Sequence, residues 1–124
     1  MSVSATSGAY AESTAGPADL SIAIVGAGIG GLSLATTLLR NGCRDVRVFE
    51  RSKVLSSRGG TVRIEEVAQG ALSKMGVGQI ANEVAIRMEG FDRYSNGRHL
   101  NRYAPSMISI SREGLQKILA DSVT

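Results

Sequence analysis

The sequence predicts an α/β fold that opens with a parallel βαβ unit, the first part of a doubly wound sheet. Three observations predict it: a short β-branched run, a glycine-rich turn directly after it, and apolar residues at helical spacing behind the turn. A second β-branched run follows, so the whole pattern occupies about 30 residues, the usual length of a βαβ unit. The two strands of such a unit are parallel.

Each element of this unit has its own signal. Residues 20–25 form an almost continuous apolar run, which is typical of a strand buried on both faces of a parallel sheet. Leu32, Ala35 and Leu38 recur at helical spacing, and Gly42 ends the predicted helix. Residues 46–49 then predict the second strand.

Weaker patterns follow the unit. Residues 61–64 and 107–110 are predicted to be extended segments, and Glu65-Glu66 open a predicted helix that Gly76 ends. The sequence Asn96-Gly97 predicts the tip of a β-hairpin excursion. Ser111 caps a last helix with an apolar stripe that continues to Val123. Because this pattern runs into Thr124 without a helix-ending residue, we expect a domain that is incomplete at its C-terminal side.

Composition limits the size and the setting of the chain. Its 124 residues, 43% of them hydrophobic, allow one core and one domain, which we place at residues 19–124. Residues 1–18 are rich in Ser, Ala and Thr and predict a disordered segment. The single cysteine, Cys43, excludes a disulfide framework and favours a cytoplasmic location. No apolar run approaches the roughly 18 residues of a membrane span.

The same composition argues against several partners. The net charge of +3 comes from arginines scattered along the chain, whereas nucleic-acid binding usually needs a concentrated basic stripe. The only histidine, His99, sits beside the predicted hairpin tip and is expected to be a surface residue. We therefore expect no metal site and no nucleic-acid partner, and a small molecule as substrate.

The motif Gly26-x-Gly28-x-x-Gly31 carries the main functional prediction. In this pattern the first glycine makes the tight turn, the second leaves room for a pyrophosphate, and the third lets the helix pack against the strands. The phosphates then lie at the helix N-terminus, where unpaired N–H groups and the helix dipole favour negative charge. Strand, turn and helix stand in the order that this motif requires.

Glu50 supplies the acid that the motif needs at the end of the second strand. It follows Gly31 at close to the expected spacing of about 20 residues. A carboxylate there accepts hydrogen bonds from the ribose hydroxyls and repels a 2′-phosphate, which argues against NADP at this position. The residues thus predict a Rossmann-like cradle for the ADP half of a dinucleotide and leave NAD and FAD both open.

A family resemblance favours FAD. The stretches GAGIGGL (26–32), VFER (48–51), RGGTVRI (58–64), ALSKMGV (71–77) and ISREGLQKIL (110–119) occur in the order found in the FAD-dependent monooxygenases. The chain resembles the aromatic-hydroxylase group of that family, which is like p-hydroxybenzoate hydroxylase. The resemblance implies FAD as cofactor, NAD(P)H as electron donor, and transfer of one oxygen atom from O₂ to a small aromatic substrate.

The resemblance also assigns two further cofactor-binding residues. Arg112 matches the family arginine that contacts the FAD phosphates, and Arg51 is placed near the adenosine. An arginine at a helix start opposes the helix dipole at a cost of about 0.3–1 kcal/mol, which a nearby anion removes. In the third stretch Gly60-Thr61 replaces the family's Ala-Gly, which puts backbone contacts on the flavin side in doubt.

Two alternatives remain from the sequence. One is another FAD- or NAD-linked oxidoreductase, such as a reductase or halogenase, that shares the amino-terminal βαβ unit. The other is a truncated product without catalytic function. By the resemblance, the later family elements lie beyond Thr124, so no catalytic residue is assigned and the 124-residue chain alone is expected to be inactive.

Overall fold

The computed structural model describes residues 16–53, 59–104 and 106–124. Most of the predicted disordered segment, and Arg58, lie outside these ranges. A single 3₁₀ turn, Pro17–Asp19, precedes the first strand. The other elements follow in chain order as β1 Ser21–Val25, α1 Ile29–Arg40, β2 Asp45–Phe49, β3 Thr61–Glu65, α2 Glu66–Lys74, α3 Gly78–Val84, β4 Ile86–Met88, β5 Phe91–Ser95, β6 Arg98–Tyr103, β7 Met107–Ser111 and α4 Arg112–Asp121.

The predicted βαβ unit is confirmed. Strands β1 and β2 pair in parallel, with Ser21 opposite Asp45 and Val25 opposite Phe49. Helix α1 connects them and packs against both strands. The α/β class and the parallel start of the sheet are therefore as predicted.

The burial predicted for β1 is wrong in this chain. Only Ile24 is buried in that strand, while Val25 is 90% exposed and its neighbour Phe49 is 55% exposed. The reason is that, among the described strands, β1 pairs with β2 alone, and α1 is the helix that packs against the pair. An apolar strand pattern shows that a strand can be buried on both faces, and in this chain part of its apolar surface is exposed to solvent.

A second, antiparallel sheet was not predicted from the sequence. Its strand order is β3-β7-β4, with Thr61 opposite Ser111 and Ile86 opposite Ser109. One face of this sheet contributes Ile64, Ile108 and Ile110 to the core. The predicted extended segments 61–64 and 107–110 are thus real strands, and the structure shows that they pair with each other.

Helix α3 was also not predicted. It begins at Gly78, after the N-cap residue Val77, and buries Ala81 fully. The helix has only seven residues, which are too few for a helical spacing of apolar residues to be recognised in the sequence.

Helix α4 lies at the centre of the molecule. It begins as predicted, because the Ser111 hydroxyl accepts a hydrogen bond from the Gly114 N–H at 3.0 Å. The helix packs against α1, α3 and β7, and Leu119 is completely buried. The predicted continuation to Thr124 is wrong, since the helix ends at Asp121. The Ser122 hydroxyl turns back to the Leu119 carbonyl and also meets the Thr36 hydroxyl of α1 at 2.8 Å.

Strands β5 and β6 form the predicted hairpin. Asn96 and Gly97 at its tip both have positive φ, 47° and 75°, as a two-residue type I′ turn requires. The hairpin is largely exposed on both faces. The main core lies elsewhere, and its buried members are Ala27, Leu32, Ile64, Leu72, Val77, Ala81, Ile108, Ile110, Leu115, Ile118 and Leu119.

Candidate functional site

The glycine-rich turn between β1 and α1 forms the centre of the candidate site. Gly26 has φ 106°, a backbone conformation that side-chain-bearing residues rarely adopt, and its N–H donates to the Phe49 carbonyl at 2.7 Å. The turn therefore leaves β1 sharply and stays attached to the end of β2. This is the geometry that the motif predicts for its first glycine.

Gly28 is the N-cap residue of α1 and leaves the helix end open. No side chain caps the helix, and the first turn contains no acidic residue. A Cβ built on Gly28 would meet no heavy atom within 4 Å. Since the first N–H groups of a helix have no partner within the helix, this end offers hydrogen-bond donors, helix-dipole charge and free space in one place.

Gly31 brings the helix against the turn. A Cβ at this position would collide with the carbonyl oxygen of Gly26 and come within 3.3 Å of the Ile24 side chain. Only a residue without a side chain permits this approach. The close packing predicted for the third glycine is confirmed.

Glu50, directly after β2, is held beside the glycine-rich turn by backbone groups. Its carboxylate accepts hydrogen bonds from the Ala27 N–H and from the Ser52 N–H, each at 2.9 Å. The bond from Ser52, and then the bond from Ala27, lower the pKa of Glu50 below its usual value because they stabilise the charged form. The carboxylate is exposed and ionised at neutral pH, and it lies against the glycine-rich turn.

Arg112 contacts the segment that precedes β3. Its backbone N–H donates to the Gly60 carbonyl at 3.1 Å, and its side-chain stem lies against Gly59, where an added Cβ would come within 2.6 Å of Cδ. The side chain is exposed. Arg51 is also exposed, in the bend that follows Glu50. Within the described part of the chain, neither arginine belongs to an ion pair.

Gln116 is a site residue that the sequence analysis did not assign. Its side-chain amide donates to the Ala27 carbonyl at 2.6 Å, and the residue is only 8% exposed. It lies one helical turn after Arg112, on the same face of α4. A signal was present in the sequence, since a polar residue stands between Leu115 and Leu119 in an apolar stripe, but nothing local indicated its partner.

The remaining candidates are structural. His99 lies on the exposed hairpin, where its Nε2 is 3.0 Å from the Asp92 carboxylate. Cys43 is a buried free thiol, as expected of a small apolar residue. The described ranges contain no group of side chains arranged to hold a metal ion. They also contain no helix long and apolar enough to cross a membrane.

The family follows from comparison with known proteins. A family model described as an NAD(P)-binding Rossmann-like domain matches residues 24–103, more than half of the chain. The chain belongs to this family. The matched range includes the glycine-rich turn, α1 and Glu50, which are the parts that build the candidate site.

Named relatives confirm the resemblance to flavin monooxygenases. The chain is 37% identical over 68 residues to 3-hydroxybenzoate 6-hydroxylase 1 of Aquipseudomonas alcaligenes, covering 55% of this chain and 17% of the relative. It is 34% identical over 80 residues to the FAD-dependent monooxygenase pytG of Aspergillus terreus (strain NIH 2624 / FGSC A1156), covering 64% and 24%. The chain thus spans a quarter or less of the length of these relatives.

The fold comparison extends over most of the chain. The structure of p-nitrophenol 4-monooxygenase PnpA from Pseudomonas putida DLL-E4 matches 83% of this chain and 29% of that chain, with a TM-score of 0.74 and 21% identity. At this identity the match demonstrates a shared fold.

Proposed function

We propose that this chain binds the ADP half of FAD through the glycine-rich turn, as the N-terminal nucleotide-binding part of a flavin-dependent monooxygenase. The observation that carries the proposal is the open helix end at Gly28. Uncapped donors and empty space lie there beside a carboxylate that is already fixed in position. A helix N-terminus binds phosphate groups, and an acid at the end of the second strand binds the adjacent ribose.

Each predicted site residue then has a defined task. Gly26 shapes the turn, Gly28 leaves the volume that the pyrophosphate fills, and Gly31 brings the α1 N-terminus close. Glu50 accepts hydrogen bonds from the ribose hydroxyls, since an ionised carboxylate is an acceptor only. Two exposed arginines complete the set: Arg112 faces the phosphates and Arg51 lies near the adenosine.

FAD, rather than NAD, is favoured by the names of the relatives, while the family description mentions NAD(P). Both cofactors present the same ADP group to a βαβ unit. Glu50 opposes a 2′-phosphate, so NADP(H) is not the ligand of this turn. When bound, FAD supplies the redox chemistry and the activation of O₂, and the protein orients and shields it.

For the whole enzyme we propose hydroxylation of a small aromatic substrate with NAD(P)H and O₂. One relative is named a hydroxylase of 3-hydroxybenzoate, and the structural neighbour is named for p-nitrophenol. The described site residues of this chain hold the nucleotide and none is placed to act as an acid or base on a substrate. We therefore expect the 124-residue chain alone to form no hydroxylated product with FAD, NADH and an aromatic substrate.

Titration of the purified chain with ADP, FAD, NAD⁺ and NADP⁺ tests the binding proposal. We expect saturable binding of ADP and FAD, weaker binding of NAD⁺, and the weakest binding of NADP⁺. Gly28→Val abolishes ADP binding and leaves the circular dichroism spectrum unchanged, because the new side chain enters empty space that the phosphates need. ADP affinity within twofold of the unmodified chain would place the cradle elsewhere.

Gly70→Val is the matched control. Gly70 is an exposed glycine within α2, and a Cβ there also meets no atom within 4 Å. The same substitution at this position should leave ADP affinity unchanged. Equal losses in the two variants would show that a general effect of valine, and not a blocked phosphate site, explains the result.

A further inference from the structure

Both polar backbone groups of Ala27, the middle residue of the glycine-rich turn, are held by side chains distant in sequence. The N–H donates to Glu50, 23 positions away, and the carbonyl accepts from Gln116, 89 positions away. Ala27 itself is only 7% exposed. The turn is therefore fixed from β2 on one side and from α4 on the other.

The hydrogen bond from Gln116 to the Ala27 carbonyl also determines the direction of the neighbouring Gly28 N–H. The Ala27 carbonyl and the Gly28 N–H belong to one peptide unit, which is planar and trans, so the two groups point in opposite directions. When Gln116 holds the carbonyl toward α4, the Gly28 N–H points away from α4. A Cβ added to Gly28 would meet no heavy atom within 4 Å, so this residue borders open space.

The burial of Gln116 indicates that this bond is the reason for a polar residue at this position. A buried amide without a partner is unfavourable, and an apolar side chain would suit a stripe that includes Leu115 and Leu119. The 2.6 Å bond to Ala27 satisfies the amide, and no buried side-chain polar atom in the described part of the chain lacks a partner. Gln116 also joins the turn to the helix that carries Arg112.

We propose that Gln116 is a positioning residue that orients the Ala27–Gly28 peptide so that its N–H is ready for an anionic ligand. The inference rests on the proposed function and adds to it a residue that does not touch the nucleotide. Losing one such orienting bond is expected to weaken ADP binding about tenfold, in line with the usual net strength of a protein hydrogen bond.

Gln116→Met tests the proposal, because methionine has a similar shape and no donor. Gln69→Met is the matched control: the Gln69 amide also bonds to backbone carbonyls, those of Ile64 and Ser106, away from the turn. At equal folded fraction by circular dichroism, we expect the Gln116 variant to bind ADP about tenfold more weakly and the Gln69 variant to bind it normally.

Gln116→Glu gives a readout that a purely structural role would not produce. A protonated carboxyl donates to the Ala27 carbonyl, whereas a carboxylate repels it. The ADP affinity of this variant, divided by that of the unmodified chain at the same pH, should therefore fall as the pH rises from about 5 to about 8. Restoration of affinity toward the low end of that range is the result that supports the proposal.

The outcomes separate the inference from the function on which it rests. If the unmodified chain binds no ADP, the proposed function fails and the inference fails with it. If the unmodified chain binds ADP but both methionine variants bind it equally well, the inference alone is overturned. Should Gln116→Met not fold, Gln116→Glu decides, since a pH-independent affinity ratio contradicts the proposal.

Discussion

The glycine-rich turn and the β5–β6 hairpin are built on a similar plan and differ in what holds them. Each has backbone with positive φ, at Gly26 in one and at Asn96 and Gly97 in the other. Each has a carboxylate that accepts two hydrogen bonds. Glu50 takes both from backbone N–H groups, whereas Asp92 takes them from the exposed side chains of His99 and Arg102.

The difference lies in how firmly the partners are fixed. The backbone N–H groups that bind Glu50 are already held in place by the surrounding strand and turns. Forming these hydrogen bonds therefore costs no conformational entropy on the side of the partners. Long exposed side chains lose rotamer freedom when they pair, which removes most of the benefit of a surface ion pair. The turn is a preorganised region tied to distant parts of the chain, while the hairpin is a local structure with its charges paired near the surface.

The largest effect is expected at Gly31. Gly31→Val places a side chain against the Gly26 carbonyl, a backbone atom that cannot move without distorting the turn. We expect the free energy of unfolding to fall by about 3 kcal/mol or more, as measured by urea denaturation followed by circular dichroism. Gly70→Val, at an open helix position, serves as the control and should change stability by well under 1 kcal/mol. Similar losses in both variants would contradict the close packing.

A smaller effect, with a defined pH dependence, is expected at Glu50. Because its pKa is lowered in the folded chain, the ionised group stabilises the fold above its unfolded value of 4.5, and this contribution is lost as the pH falls through the native pKa. The stability difference between the unmodified chain and Glu50→Gln should therefore be constant near neutral pH and shrink in acid. Unfolding curves recorded from about pH 3 to about pH 8 measure it. If the stability difference between the two proteins grows in acid, the lowered pKa of Glu50 is contradicted.

The smallest effect is expected at Asp92. Asp92→Asn weakens the exposed ion pair with Arg102 and the hydrogen bond with His99, and should reduce stability by about 0.5 kcal/mol, an effect that salt further diminishes. ADP affinity should not change, because both partners of Asp92 belong to the hairpin and not to the turn. The measurements are the unfolding free energy at low and high salt and an ADP titration. A loss above 2 kcal/mol would show that the hairpin is more than a locally stabilised element.

Some structural features were predictable because their causes lie close together in the sequence. The βαβ unit follows from helical spacing behind a glycine-rich turn between two β-branched runs, and the hairpin tip follows from Asn96-Gly97. The N-cap at Ser111 was equally predictable, because its hydroxyl accepts a hydrogen bond from the N–H of Gly114, only three residues away. Glu50 was also found in this way, because the length of the connecting helix determines how far the second strand end lies from the turn.

The tertiary structure decided the rest, because it depends on which distant segments meet. The pairing of β3 with β7 and the bond from Gln116 to Ala27 join residues separated by tens of positions. Sequence periodicity carries no information about such partners. Burial is decided at the same level: the apolar pattern of β1 was legible, yet Val25 is exposed because no described element packs on it. The sequence by itself thus determined the shape of the glycine-rich turn, and only the packing of α4 against it decided how that turn is held.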